Sequence, residues 1–252
     1  VYQGSGRPFN FGEPEFAEYI HGSDGLGDAG LPAPSVKVQD ENAVIKIVQS
    51  VMDSPGQITF VALGRLTNLA LAISVEPRIA TSLVEVVVMG GAVTVPGNVS
   101  MVSSANLWGD PEAADVVYRS GASMVQVGLD VCNKVEISAE QLSRVWAAGT
   151  PVSRLLEKAT PFIQRAYIER NRKMSAGAVK YNDVPAISYA IDPTLFETRN
   201  LHVRIAKGDQ LTQGQTLADL DGQTGESPNT HVALDVDANR LSEMWTERVS
   251  DL

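Results

Sequence analysis

The chain has 252 residues, 44% hydrophobic and 20% charged, enough to bury a core as one large α/β domain or two small ones; with no linker, repeat or low-complexity stretch, one domain over 1–252 is favoured. A formal charge of −10 with dispersed Lys and Arg argues against a nucleic-acid surface, and no apolar run reaches the length of a membrane span or reads as a signal peptide. The single cysteine, Cys132, rules out an internal disulfide and fits a reducing, cytoplasmic compartment.

In chain order, GSGRPFN (4–10) lacks the third Gly of GxGxxG and is not set between a predicted strand and helix, so dinucleotide chemistry is unsupported. No GxxxxGK[ST] occurs, which removes the nucleotide triphosphatase reading. ITFVALG (58–64) is an apolar strand ending in Gly, followed by the helix-patterned RLTNLALAISV with Thr67 and Asn68 at its start. Residues at such a strand-to-helix corner point into the crevice where open parallel sheets bind ligands. VVVMGGAVTVPGN (86–98) is a β-branched strand running into Gly90 and Gly91, where bare backbone lets a ligand approach without meeting a Cβ. Asp110, Pro111 and Glu112 open a helix with an Asp N-cap and Pro in the first turn. A third strand, 124–129, ends at Asp130, which is expected to orient local backbone. All three strand ends thus offer polar groups to one edge.

Farther along, Ser138 and Gln141 form a capping box for a helix through about Ala148, and Thr150-Pro151 opens a longer helical stretch towards Lys173. The segments 201–206 and 216–218 flank the turn-rich KGDQLTQGQ and read as a β-hairpin; HVALDVD (231–237) is another strand, and ANRLSEMWTERV a closing amphipathic helix. Strands that alternate with helices and then meet a hairpin predict a mostly parallel sheet with antiparallel additions at one edge. His202 and His231, in the late β region, read as structural.

HGSDGLG (21–27) with LP at 31–32, ALGRLTNLAL (62–71), VVMGGAV (87–93) with GN at 97–98, DPEAA (110–114), GLDV (128–131), NDVPAISYAIDP (182–193) and TQGQTLAD (212–219) occur in the order seen in inosine-uridine nucleoside hydrolases. The chain resembles that superfamily over almost its whole length. The resemblance implies an open, mostly parallel α/β sheet around a Rossmann-like core, with helices on both faces and an antiparallel edge, assembled as a homo-oligomer, dimer or tetramer. It also implies a small-molecule nucleoside as partner, and hydrolysis of its N-glycosidic bond to free base and ribose. A calcium ion holding the ribose diol and the attacking water is the implied cofactor. The chemistry suits the parts: an oxocarbenium-like transition state needs negative groups near the sugar, an activated water and a departing base, and Ca²⁺ takes about six to eight oxygen ligands.

By resemblance, the metal-ligating carboxylate falls on Asp183 and a backbone carbonyl ligand on Thr67. Asn98 and Asn106 match positions that hydrogen-bond ribose hydroxyls, Met89 lines the sugar site, and His21 packs near the base. Each has a plainer reading: Asp183 as a helix N-cap before VPAISYAI, Thr67 and Asn68 as caps of their own helix, His21 as a loop residue fixing its turn.

Departures from the family pattern lower the expectation of an ordinary ribonucleoside substrate. Where the family usually has AEFN, residues 103–106 read SSAN, so Ser104 stands in place of a Glu that grips the ribose 5′ hydroxyl. Asn182 stands where many members have a His that helps the base depart, and an amide is no general acid near neutral pH. The DTDxGxDDA-type loop that supplies the catalytic base and the other calcium carboxylates does not occur, so a leading βαβ portion is expected to be missing, exposing sheet edges that invite association. A start on Val1 rather than Met fits a processed or truncated chain, or a first part supplied separately. The chain alone is then expected to be an inactive nucleoside hydrolase; the alternative is a noncatalytic nucleoside- or sugar-binding relative.

Overall fold

The structure is a computed structural model that describes residues 1–9, 13, 16–170 and 172–252. Tyr2–Gln3 (β1) precedes the single turn Glu18–His21 (α1) and pairs in parallel with Gln39–Asn42 (β2). Ala43–Asp53 (α2) starts where the Asn42 side chain accepts from the Val44 N–H, which satisfies one of the orphan donors of the first turn. There follow Thr59–Ala62 (β3), Thr67–Val75 (α3), Ile79–Ser82 (α4), Glu85–Met89 (β4), Ala105–Trp108 (α5), Pro111–Tyr118 (α6) and Met124–Val127 (β5). The second half holds Leu129–Cys132 (α7), Ala139–Ala148 (α8), Pro151–Glu169 (α9), Val184–Ile191 (α10), Phe196–Leu201 (β6), Val203–Ile205 (β7), Thr216–Ala218 (β8), Thr230–Val236 (β9) and Ala238–Ser250 (α11).

The main sheet has the order β3-β4-β5-β9-β6; β3, β4, β5 and β9 run parallel and β6 is the antiparallel edge. That is the mostly parallel sheet with an antiparallel edge that the alternation of strands and helices predicts. Side chains on a strand alternate faces, so the sheet divides its apolar residues between two cores. Val86, Val88, Met124 and Val232 join residues of α2, α3, α4 and α6 on one face. Val87, Met89, Val125, Val127 and Ala233 join residues of α7, α10 and α11 on the other. With both faces covered, an unbroken Val run in β4 is what the environment selects, and each fully buried Val contributes about 1.5–3 kcal/mol relative to an exposed one.

The Ser138 capping box, the Asp110 cap and the Thr150 cap form as the sequence predicts. Other boundaries move. β5 stops at Val127, and Leu129 and Asp130 belong to a helical turn begun at Gly128. α9 ends at Glu169, short of Lys173, and Asn171 lies outside the described residues. Leu201 closes β6, so the hairpin is β7 with β8 alone. β6 itself escapes the pattern because its middle, 197–200, is exposed. GSGRPFN does follow a strand, β1, but no helix follows it directly among the described residues, and Asn10 lies outside them.

Neither Thr67 nor Asn68 caps α3. Leu66 holds the N-cap position without a side-chain bond, the Thr67 hydroxyl donates to Asp110, and Asn68 Oδ1 accepts from the Ser5 N–H at 2.8 Å. Asp110 thereby ties three segments together, since it also accepts from the Phe9 N–H at 2.7 Å and the Ala113 N–H at 3.1 Å.

Candidate functional site

A cavity of about 730 Å³ opens beyond the carboxyl ends of β3, β4 and β5, with Leu63, Met89 and Leu129 at its floor. Open parallel sheets leave such a crevice where the strand order lets neighbouring connections part.

The floor is held by a chain of satisfied amides. Past Met89, Gly91 takes φ +90°, a conformation that disfavours a side chain, and a Cβ there would lie 2.5 Å from Gln126 Nε2. The Gly91 N–H donates to Ser104 Oγ at 2.7 Å and the Ala92 N–H to Thr216 Oγ1 at 2.9 Å. Val93 and Thr94 donate their N–H groups to the Asp130 carboxylate at 3.0 and 2.7 Å, and the Thr94 hydroxyl adds a third bond at 2.7 Å. Asp130 thus orients local backbone, as expected of it. The late motif braces the same loops: Ser103 Oγ donates to the Gln213 carbonyl at 2.5 Å, Gln213 Nε2 donates to the Trp108 carbonyl at 2.7 Å, and Gly214 packs where a Cβ would meet Trp108 backbone at 2.5 Å.

This scaffold presents two amides of opposite polarity. Asn106 Nδ2 donates to the carbonyls of Leu63 and Met89 at 3.0 and 2.9 Å, which leaves its Oδ1 as an acceptor. Asn98 Oδ1 accepts from the Ala105 N–H at 2.8 Å, which leaves its Nδ2 as a donor. A hydroxyl-rich ligand needs both, because each hydroxyl donates one hydrogen bond and accepts others.

Asp183 occupies the N-cap position of α10 without making a cap bond, and its carboxylate has no hydrogen-bond partner among the described residues. It is open to water in the cleft, yet the surrounding walls displace enough solvent to push its pKa up to about 6. Beside it, Asn182 Nδ2 donates to the Tyr167 hydroxyl at 3.0 Å, and the Asn182 carbonyl accepts from Cys132 Sγ at 3.3 Å. Burial raises the Tyr167 phenol, so it remains a proton-bearing donor at neutral pH. Burial also raises the Cys132 thiol, with the carboxylates of Asp183 and Asp130 adding to the shift.

Of the residues singled out from sequence, the cleft brings together His21, Met89, Asn98, Ser104, Asn106, Asn182 and Asp183. His21 closes α1, and its carbonyl accepts from the Gly27 N–H at 2.7 Å. Ser104 is buried, its hydroxyl oxygen accepting from the Gly91 N–H. Thr67 is not brought in: it is buried as the first residue of α3, away from the cleft lining. The backbone carbonyl at the end of β3 that does face the site region is that of Leu63, four residues earlier. His202 and His231 are also outside the lining. Sequence reasoning missed Tyr167, Arg172 and Lys173, which lie at and beyond the end of α9 and carry no motif.

The donor set does not by itself make a calcium shell. Asp183 is the one carboxylate among the described residues of the lining, and no three His, Cys, Asp or Glu cluster for a metal among the described residues. Calcium asks for about six to eight oxygens.

A mostly parallel sheet flanked by helices, with a polar cleft at its strand ends, defines an α/β protein of the small-ligand-binding, enzyme-like class. The family model described as inosine-uridine preferring nucleoside hydrolase matches residues 1–243, and the chain belongs to this family of N-glycosidases. It is 47% identical over 142 residues to a probable uridine nucleosidase 1 of Oryza sativa subsp. japonica, a match covering 56% of the chain and 44%, just under half, of the rice protein. It is 33% identical to a pyrimidine-specific ribonucleoside hydrolase of Citrobacter koseri, covering 93% of the chain and 74% of that protein. Among solved structures, it resembles the plant nucleoside hydrolase PpNRh1 with TM-score 0.93 and 29% identity, covering 100% of the chain and 80% of the other. A purine-preferring ribonucleoside hydrolase from Gardnerella vaginalis gives TM-score 0.90 at 30% identity, covering 100% and 79%. Among the described residues, no helix is long and apolar enough to cross a membrane.

Proposed function

We propose that the cleft binds a nucleoside through its sugar and serves hydrolysis of the N-glycosidic bond. The observation that carries this reading is that Asn98 as donor and Asn106 as acceptor share the cleft with the carboxylate of Asp183, which has no hydrogen-bond partner among the described residues. The two amides hold sugar hydroxyls in one orientation. A carboxylate in the same cleft stabilises positive charge developing on the sugar ring, provided it is ionised, which holds for Asp183 above about pH 6. Tyr167, already accepting from Asn182, has its own proton to offer an oxygen or nitrogen of the departing base.

Asp183 is the carboxylate that would contribute to a calcium ion, and any further carboxylate ligand would have to come from outside the described lining.

A specific observation favours a second reading. Glycoside hydrolysis ordinarily uses a pair of carboxylates, and the described lining holds one. A noncatalytic nucleoside- or sugar-binding protein needs only the amides. The test is ribose release from uridine and inosine by the protein expressed from its complete coding region, run beside calorimetry of the same nucleosides. Release that vanishes in Asp183→Asn supports the hydrolase; binding without release establishes the binder; absence of both overturns the nucleoside reading.

A further inference from the structure

Cationic groups gather at this cleft in a chain whose net charge is −10. Arg170, Arg172, Lys173 and Lys180 all line it, against Asp183 as the one described carboxylate. Their circumstances differ. Lys180 is neutralised by Glu136 at 3.3 Å and donates to the Asn133 carbonyl at 2.7 Å. Arg170 lies 3.8 Å over the ring of Tyr19, a cation-π contact that joins the end of α9 to α1.

Arg172 and Lys173 are another matter. Arg172 Nη2 donates to the carbonyl of Asn98 at 2.7 Å, which places its guanidinium against the loop that presents the Asn98 amide. That bond uses one of five guanidinium N–H donors, and no carboxylate pairs with Arg172 or Lys173 among the described residues. An acidic protein repels anions over most of its surface. Cations without a carboxylate partner among the described residues, set in a walled cleft, reverse that field locally, and low-dielectric walls concentrate it. A guanidinium with free donors in a fork is suited to a planar or tetrahedral oxyanion, with an adjacent ammonium supplying point charge.

We propose that the nucleoside taken by this cleft carries an anionic group, held by Arg172 and Lys173 while the sugar sits on Asn98 and Asn106. The inference rests on the nucleoside reading above and deepens it to a substrate class. One chemistry, an oxyanion on a nucleoside, has two sources: a 5′-phosphate on the sugar or an acidic group on the base.

Calorimetry on the full protein at low ionic strength with uridine, uridine 5′-monophosphate and orotidine separates them. At least one anionic nucleoside should bind tenfold or more tightly than uridine, and the arm that gains identifies the source. The advantage should shrink as salt rises from about 20 to about 200 mM. Lys173→Gln, at an exposed position, should cut the anion-to-uridine affinity ratio at least threefold, and Arg172→Gln should cut it further. Uridine binding with no preference for either anion, or a preference unchanged in both variants, overturns the inference and leaves the nucleoside reading standing. If none of the three binds, both fall.

Discussion

Asp130 and Asp183 are carboxylates near enough to the Cys132 thiol for both to raise its pKa, and the protein treats them oppositely. Asp130 is buried and accepts three hydrogen bonds from Val93 and Thr94, so its charge is met by fixed donors and its role is to hold the loop after β4. Asp183 opens to the cleft, has no described hydrogen-bond partner, and has its pKa pushed up to about 6 by the walls around it. A satisfied carboxylate stabilises the fold. An unsatisfied one is kept at a cost to the fold, and the gain has to come from what enters the cleft.

Asp130→Ala leaves the Val93 and Thr94 N–H groups without acceptors inside the protein and should destabilise by about 3–5 kcal/mol, read from urea unfolding. A loss below about 1 kcal/mol would mean that water replaces the carboxylate and that the loop does not depend on it.

Asn106→Leu tests whether the floor of the cleft is built for a ligand or for stability. It removes the donor shared by the Leu63 and Met89 carbonyls, so stability should fall by about 1–3 kcal/mol while uridine affinity falls more than tenfold. Equal affinity in the variant would remove Asn106 from the sugar site.

Asp183→Asn sharpens the contrast through pH. The folded pKa, about 6, lies above the ordinary value of 3.8, so the native state binds a proton more tightly than the unfolded chain. The resulting stabilisation is present at about pH 4 and is lost as pH rises through 6. The Asn variant, which mimics the protonated acid, should match the wild type in thermal unfolding near pH 4 and melt at a higher temperature at about pH 7.5, both in chelator-treated buffer. A lower melting temperature at the upper pH would show that the native carboxylate has a stabilising partner.

The smallest effect is expected on the outer surface. Arg144 pairs with Glu243 through two bonds, 3.0 and 2.6 Å, between α8 and α11, but both side chains are exposed. Arg144→Ala should cost no more than about 1 kcal/mol, and less in high salt. A larger loss would mean that the α8–α11 contact depends on this pair more than on the apolar packing beneath it.

Local chemistry made much of the fold legible. Asp110, Ser138 and Thr150 cap their helices because a short polar side chain can reach the open N–H groups of a first turn wherever that turn sits. The Val run of β4 declares a strand buried on both faces, and the ordered motifs point to the family that the match over 1–243 bears out. α2 is legible in the same way, since its apolar stripe and Asn42 cap are local features.

What only the tertiary structure decided lies in contacts between distant segments. Thr67 stands at a strand-to-helix corner and reads as a cleft residue, yet its hydroxyl turns to Asp110, forty-three positions away, while the Leu63 carbonyl faces Asn106 at the cleft floor. Ser104 reads as a lost ligand contact and proves to be the acceptor for Gly91. Thr216 shows nothing in sequence that links it to Ala92, 124 positions earlier, although their hydrogen bond holds the glycine turn in place. Arg172 joins the site only because its guanidinium reaches the Asn98 carbonyl, 74 positions earlier in the chain. Capping and burial periodicity are set by neighbours a few residues apart, so the sequence carries them. Which free donor or acceptor is consumed by the scaffold, and which is left for a ligand, depends on segments that meet only after the chain has folded.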